Sequence, residues 1–313
     1  VQEYGKTKFV KHSFVLYGYK YCKKHNLPFY CLYFAHEESV EKFWVTITCD
    51  LLQEYFGLTL TYYQYKGYHP GMTDEHRAAI ESIQEEINEL KKHIFVFDYI
   101  SNPTGIYKTI QKFMGTIGKR TDGIMDEDDF GNKYQSFEYE YNDPDTQVMV
   151  INDHAGLMNP EKNPFEKINT VHDAMRKWSE YKVKFVAKKY KCICVDIQQQ
   201  EMGTDGAENI RLGRPEPTID KLGKNKEIGQ DYHVLLGIFN PTRVNPPMTS
   251  YGNYQMKDFD GHFRTIHVLK HRDGDEGIIK PMYFHGKSSK YQELPKLGTT
   301  ELTTFINKIK SNV

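Results

Sequence analysis

The sequence predicts an α/β protein with a mainly parallel central sheet flanked by helices. Short apolar segments at 29–34, 94–97 and 146–153 have the length and the β-branched or aromatic content of buried strands. Segments with the apolar spacing of helices separate them. The first and third of these strands lead into acidic residues, Glu37 and Asp153. Because open α/β sheets bind ligands at the carboxyl ends of their strands, chemistry is expected there.

Composition favours a soluble globular protein, and one domain is the economical interpretation. The chain has 313 residues, of which 39% are hydrophobic and 27% charged. It contains no apolar run of about 18 residues, so no transmembrane helix is expected. Lys6, Lys8 and Lys11 interrupt the start too closely for a signal peptide. Five cysteines without CxxC pairs or a disulfide spacing predict reduced thiols in a reducing compartment.

The balance of charges excludes a protein that binds nucleic acid over its whole surface. Lys and Arg number 41 against 42 Asp and Glu, a net charge of −1. A localised basic loop is still allowed.

The first motif is Gly5-Lys6-Thr7, which precedes a predicted helix from about Lys8 to Lys24. It matches the end of the phosphate-binding loop G-x-x-x-x-G-K-[ST], in which backbone N–H groups and a helix N-terminus hold phosphates. The first glycine of that motif would lie one residue before Val1, so the chain is expected to start inside the loop. A bare G-K-T tripeptide also occurs by chance.

Glu37 follows the strand 29–34 and precedes a predicted helix that ends near Tyr55. A carboxylate at this position can polarise a water for attack on a γ-phosphate. The alternative is a solvated first-turn residue favoured by the helix dipole, which fits Glu38 better. Further helices are predicted from an N-cap at Thr73-Asp74 and over 104–114.

Residues 122–145 contain nine acidic side chains and one lysine, Lys133. The spacing of an EF-hand is missing. A solvated acidic insertion is predicted, with a hairpin at 137–141.

After Asp153, a loop at 159–164 leads into a predicted helix over 165–190 and a strand at 192–195. Gln198 follows that strand and either senses phosphate or caps the strand. The next loop, 201–226, is rich in glycine and carries spaced cations, including Arg211 and Arg214. Such a loop suits contacts with a phosphate backbone, or is an ordinary exposed loop.

The C-terminal part contains predicted strands at 234–239 and 265–269. Alternating segments around Asp273-Gly274 predict a hairpin that returns at Ile278-Ile279. A surface helix is predicted over 299–313.

The order of these motifs resembles the RecA-like motor domain of DnaB-type replicative ring helicases, from Gly5 to about Leu294. Residues 34–39 resemble that family's F-S-L-E-M-S segment, and residues 150–154 resemble its Walker B strand. Gln198 falls on its sensor glutamine. The family's R-P…D-L…I-x-Q-D series is matched by Arg214-Pro215, Asp220-Lys-Leu222 and Ile228-Gly-Gln-Asp231. Its K-x-R-x-G hairpin is matched by residues 269–274.

The resemblance implies a RecA-like P-loop NTPase that hydrolyses ATP with Mg²⁺ at the subunit interfaces of a homo-oligomeric ring, expected to be a hexamer. The implied nucleotide-binding residues are Gly5, Lys6, Thr7 and Asp153, with Thr7 and Asp153 on the metal. The implied catalytic residues are Glu37, which activates water, Gln198, and Lys270 and Arg272, which act on the neighbouring subunit's nucleotide. The implied DNA contacts are Lys162, Arg211 and Arg214. Single-stranded DNA is the expected partner, with a primase or helicase loader, in the cytoplasm of a bacterial or phage-infected cell.

Departures from the family pattern keep two alternatives open. Ile197 replaces the serine that usually precedes the sensor glutamine, and Asn240 stands where many relatives have an arginine. The first P-loop glycine is not in the sequence, which is therefore expected to be a fragment. The alternatives are a RecA-like DNA-binding ATPase that does not unwind, such as a recombinase or loader, and a non-catalytic helicase-like module.

Overall fold

A computed structural model describes residues 5–127, 131, 133–162, 167–199, 211–213, 215–286 and 289–311. The α-helices are α1 Lys6–Val10, α2 Tyr17–Lys24, α3 Val40–Phe56, α4 Tyr62–Tyr65, α5 Asp74–Ser82, α6 Gln84–His93, α7 Pro103–Ile117, α8 Val171–Tyr181, α9 Lys226–Asp231 and α10 Thr300–Ser311. π-Helical turns at Lys11–Leu16 and Lys182–Ala187 continue α1 and α8. The strands are β1 Phe29–Ala35, β2 Ile94–Phe97, β3 Gly118–Glu127, β4 Lys133–Tyr141, β5 Gln147–Asp153, β6 Glu161–Lys162, β7 Lys167–Ile168, β8 Ile193–Ile197, β9 Val234–Phe239, β10 Ser250–Tyr251, β11 Tyr254–Gln255, β12 Phe263–His271, β13 Ile279–His285 and β14 Lys290–Glu293.

The chain forms two compact units. The parallel-sheet unit comprises Phe14–Thr48 and Arg77–Gln198, and the antiparallel-sheet unit comprises Val1–Ser13, Cys49–His76 and Gln199–Val313.

The parallel-sheet unit is built on four strands in the order β2-β1-β5-β8, with all neighbours parallel. The predicted α/β class with a mainly parallel central sheet is therefore confirmed. Six of the seven residues in β1, and six of the seven in β5, are buried. Both strands are nearly continuous apolar runs because helices cover both faces of a parallel sheet.

The two faces of this sheet pack against different helices. On one face Leu32, Phe34 and Val150 join a core with Ile106 of α7 and Trp178 of α8. On the other face, the ring of Tyr33 lies 4.8 Å from the ring of Phe43 of α3, measured between centroids. Complete burial of each such side chain contributes about 1.5–3 kcal/mol to folding.

The predicted helix over 165–190 begins later than expected. Lys167 and Ile168 form β7, which pairs with β6, and α8 starts only after Thr170. Thr170 and Asp173 form a capping box, in which each side chain accepts a hydrogen bond from the other residue's backbone N–H. This arrangement satisfies N–H groups that a helix start would otherwise leave without partners.

The acidic segment is a longer ribbon than the predicted hairpin at 137–141, which was wrong in its extent. β3 and β4 pair from Gly118↔Tyr141 to Glu127↔Lys133. Residues alternate along β4: Phe137 is buried and stacks on Phe185, whereas Glu138 and Glu140 are exposed. Glu138 and Glu140 therefore face solvent, while the ring of Phe137 attaches the ribbon to the core.

The antiparallel-sheet unit contains a four-stranded sheet in the order β14-β13-β12-β9. The predicted hairpin around Asp273-Gly274 is confirmed, since β12 and β13 are antiparallel partners on either side of it. Ile266, Phe284 and Tyr291 form a core cluster on this sheet, against which Phe9 packs.

All five cysteines are free thiols, in agreement with the prediction from their spacing. Over the residues that the structure describes, no helix has both the length and the apolarity that a membrane span requires.

Candidate active site

Three of the predicted site residues meet at one end of the parallel sheet. Ala35 of β1 pairs with Asp153 of β5, and Asp153 pairs in turn with Ile197 of β8. These three strand ends define the carboxyl edge. Glu37 follows two residues after Ala35, and Gln198 follows directly after Ile197. The register therefore brings the backbone of the acidic turn, Asp153 and the glutamine to one edge, where ligands bind in open α/β sheets.

Asp153 is held by a tyrosine on the neighbouring strand. Its side chain is almost fully buried, and its Oδ2 atom accepts a hydrogen bond of 2.5 Å from the Tyr33 hydroxyl. Burial, followed by the negative charge of Asp153, raises the pKa of Tyr33 well above its ordinary value. Tyr33 consequently stays protonated and remains a donor, and a donor to a carboxylate makes one of the stronger hydrogen bonds in proteins.

The turn that carries Glu37 is attached to β5 by the residue before it. The His36 backbone N–H donates to the Asp153 carbonyl at 2.5 Å. The His36 Nε2 atom donates to Asn152 Oδ1, also at 2.5 Å. Burial lowers the pKa of His36, while Asn152 and Asp196 act in the opposite direction. Glu37 itself is exposed, so its carboxylate can reach solvent and substrate.

Gly5 precedes the first helix in a backbone conformation that strongly favours glycine. Its φ is 82°, in the left-handed region that favours glycine. A Cβ atom there would lie 2.5 Å from the Tyr291 hydroxyl and 2.8 Å from the ring of Phe284. Phe9 donates its backbone N–H to the Gly5 carbonyl at 2.8 Å, which starts the helix with Lys6 and Thr7 in its first turn.

These residues fit a phosphate group as the predicted loop requires. A glycine in the left-handed region followed directly by a helix leaves the first N–H groups of that helix without intrahelical partners, and such N–H groups bind phosphate. Lys8, one turn along, donates its ammonium group to the Gly286 carbonyl, which holds the helix on its own sheet.

Asp153 is a carboxylate that could serve as a ligand of Mg²⁺. Within the described part of the chain, no group of three His, Cys, Asp or Glu side chains is placed to hold a metal ion. Mg²⁺ bound with a nucleotide needs only one or two carboxylates, because water and phosphate oxygens complete its shell. Asp153 can provide such a carboxylate.

Lys270 and Arg272 both contact the end of α9 in their own chain. Lys270 Nζ donates to the carbonyls of Gly229 and Gln230 at 3.2 and 2.7 Å, and Arg272 donates to the Gln230 carbonyl at 2.7 Å. Arg272 is exposed at the tip of the β12–β13 hairpin. Both side chains are therefore bonded within their own chain.

Of the predicted DNA contacts, only Arg211 has a described side chain, which is exposed. Lys162 ends β6, with its backbone alone described, and Arg214 lies outside the described residues, as do 163–166 and 201–210.

The structure adds Tyr33, His36 and Asn152 to the site. One signal for them was present in the sequence: Asn152 is an amide inside an apolar strand, and buried amides need partners. Tyr33 gave no such signal, because a tyrosine within an aromatic strand resembles ordinary core.

The fold of this chain is similar to that of helicase ATPase domains of known structure. One similar solved structure is a DnaB-like replicative helicase, described with its interactions with primase; the TM-score is 0.64 at 12% identity, over 94% of this chain and 57% of that one. Another is the ATPase domain of a second helicase, with a TM-score of 0.63 at 13% identity, over 94% of this chain and 82% of that one. This chain thus spans little more than half the length of the first structure. No protein-family model and no curated protein matches the sequence.

Proposed function

We propose that this chain is the motor domain of an ATP-dependent DNA helicase, which hydrolyses ATP and translocates on single-stranded DNA during replication. The observation that carries the proposal is the convergence of Glu37, Asp153 and Gln198 at the carboxyl edge. A carboxylate that activates water, a carboxylate for Mg²⁺ and an amide that senses phosphate are the groups needed for phosphoryl transfer to water. The similarity of fold to helicase ATPase domains supports the same conclusion.

Each residue has a distinct role in this proposal. Lys6 would neutralise phosphate charge, and the Thr7 hydroxyl and the Asp153 carboxylate would be ligands of Mg²⁺. The bound ion would stabilise negative charge on the β- and γ-phosphates. Glu37 is the general base that orients the attacking water, which its exposed position after β1 permits. Gln198 reports the state of the γ-phosphate to the loop that follows β8.

The proposal extends to a homo-oligomeric ring, with a hexamer as the expected form. Lys270 and Arg272 would stabilise transition-state charge at the neighbouring subunit's ATP, as arginine fingers do. Both cationic groups donate to the Gln230 carbonyl at the end of α9, which places them near each other. Lys162, Arg211 and Arg214 would contact the phosphates of one DNA strand, and a primase or helicase loader would be the protein partner.

The decisive experiment measures ATP turnover by the full-length protein with and without single-stranded DNA. Lys6→Ala and Arg272→Ala are the test variants, and Lys280→Ala, which removes an exposed lysine of β13, is the matched control. We expect DNA-stimulated turnover that falls about 100-fold or more in both test variants, because each loses charge stabilisation in the transition state. The control should keep the wild-type rate.

The outcomes separate the alternatives. Turnover that depends on Lys6 but not on Arg272 would show that the finger assignment is wrong. An inactive wild-type protein would favour a non-catalytic module. DNA-stimulated turnover without strand separation on a forked duplex would favour a recombinase or loader.

A further inference from the structure

A buried polar cluster lies directly under the carboxyl edge. Phe34, Asn152 and Asp196 are register partners on β1, β5 and β8, so their side chains share one face of the sheet. Asn152 is fully buried, and 1% of the Asp196 side chain is exposed. Polar groups in the middle of an apolar sheet weaken the core unless they are hydrogen-bonded, so they call for a reason other than packing.

At one end of this cluster, Asp196 is bonded to residues of α8 and of the π-helical turn that follows it. Asp196 accepts hydrogen bonds of 2.8 Å from Trp178 Nε1 and from Lys182 Nζ. The Lys182 side chain is 4% exposed, so this is an ion pair inside the protein. Removing one partner of such a pair is costly, which makes the position of Asp196 rigid.

At the other end of the cluster lies His36, the residue before Glu37. Its side chain bonds to Asn152 and its backbone bonds to Asp153, so two consecutive residues of β5 hold it. The strand pairing of β1 ends at Ala35, and these two bonds continue the attachment past the last paired residue.

We propose that His36, through its hydrogen bond to Asn152, is the residue that positions Glu37 for activation of water. This inference rests on the proposed ATP hydrolysis. A general base must lie within hydrogen-bond reach of its water, and an error of about 1 Å can cost about 100-fold in rate. Glu37 directly follows His36, so the two bonds that hold His36 on β5 also fix the start of the turn that carries Glu37.

The test compares steady-state ATP hydrolysis by the full-length wild type with three variants in the presence of single-stranded DNA. His36→Leu and Asn152→Leu each delete the bond from one side and keep a similar volume. His36→Gln places an amide donor near the position of Nε2 and should restore the bond. We expect kcat to fall about tenfold in both leucine variants, KM for ATP to stay within about twofold, and His36→Gln to recover most of kcat.

Two further measurements distinguish positioning from folding. The double variant His36→Leu/Asn152→Leu should be no slower than either single variant, because all three lack the same bond. Equilibrium binding of a fluorescent ATP analogue should be unchanged in all of them. If His36→Leu does not fold, Asn152→Leu and His36→Gln still provide the loss and the recovery.

The proposal is overturned if both leucine variants keep the wild-type kcat, if His36→Gln is as slow as His36→Leu, or if KM rises while kcat is unchanged. Failure of the underlying function gives a different result. In that case the wild-type protein would show no turnover that depends on Lys6, and the positioning role would fall with it.

Discussion

The Tyr33 hydroxyl is one of the groups that hold the Asp153 carboxylate. Tyr33 and Asp153 lie on adjacent strands, both side chains are buried, and the tyrosine donates to the carboxylate at 2.5 Å. A buried carboxylate without donors is costly, so this bond compensates part of the cost of placing a charge at the carboxyl edge. It also fixes which way the Oδ2 atom points.

Tyr33→Phe should therefore destabilise the protein although it removes a single oxygen atom. We expect the free energy of unfolding to fall by about 1–3 kcal/mol, because the acceptor on Asp153 stays buried without this donor. Chemical denaturation measures it. Tyr99→Phe is the matched control, since Tyr99 is 77% exposed and should change the free energy by less than about 0.5 kcal/mol. Equal effects in the two variants would mean that the buried bond gives no net stability.

At the residue scale, the sequence pattern predicted which residues lie at the strand ends. It did not predict the residues that hold them in place through hydrogen bonds. Glu37, Asp153 and Gln198 follow apolar segments, and the position of a residue along a strand is visible in the pattern. The contacts of Tyr33 and His36 depend on which strands are neighbours and in what register. That information comes from the packing of the whole sheet, so no local pattern contains it.

At the scale of elements, the start of the first helix depends on a glycine that satisfies two requirements at once. Gly5 has a positive φ and lies against Tyr291 and Phe284. Gly57, just after α3, has a φ of 68°, and a Cβ atom added to it would have no heavy atom within 4 Å. Both glycines therefore have the left-handed backbone conformation, but only at Gly5 would a Cβ atom overlap neighbouring atoms.

Gly5→Ala should cost more stability than Gly57→Ala. Both changes put alanine in the left-handed region, at about 1–2 kcal/mol each. Gly5→Ala should lose at least about 1 kcal/mol more, because the new methyl group overlaps the Tyr291 hydroxyl and the Phe284 ring. Denaturant midpoints of the two variants give the difference. Equal losses would show that the two rings move aside without cost.

The hairpin turn was predicted correctly because a local sequence signal determines it. The extent of the ribbon was not, because contacts with residues distant in the sequence stabilise it. Asp273-Gly274 places the β12–β13 turn correctly because the turn chemistry is local. The ribbon β3–β4 was underestimated because its acidic residues suggested a solvated loop. Its pairing is stabilised by rings from elsewhere, among them Tyr190, which lies 5.1 Å from Phe137 between centroids.

For the molecule as a whole, buried ionisable groups make stability depend on pH in opposing directions. Burial lowers the pKa of His267, as it does for His36, below the ordinary value of 6.5. The folded state then binds fewer protons than the unfolded chain, so this contribution is present above pH 6.5 and is lost as pH falls through the folded pKa. Burial raises the pKa of Asp50 well above its ordinary value, and that contribution is lost as pH rises.

Because these contributions oppose each other, the effect of one histidine is best isolated by comparing proteins with and without it. The quantity to compare is the slope of the free energy of unfolding against pH. Wild type should lose stability between pH 6.5 and 5 more steeply than His267→Gln, by up to about 1.4 kcal/mol per pH unit for one proton. Glutamine does not titrate and can still bond to Thr265, which His267 Nε2 meets at 2.8 Å. His233→Gln, at an exposed histidine, is the matched control. Urea unfolding at a series of pH values measures all three slopes. A wild-type slope equal to that of His267→Gln would mean that this imidazole binds a proton equally in both states.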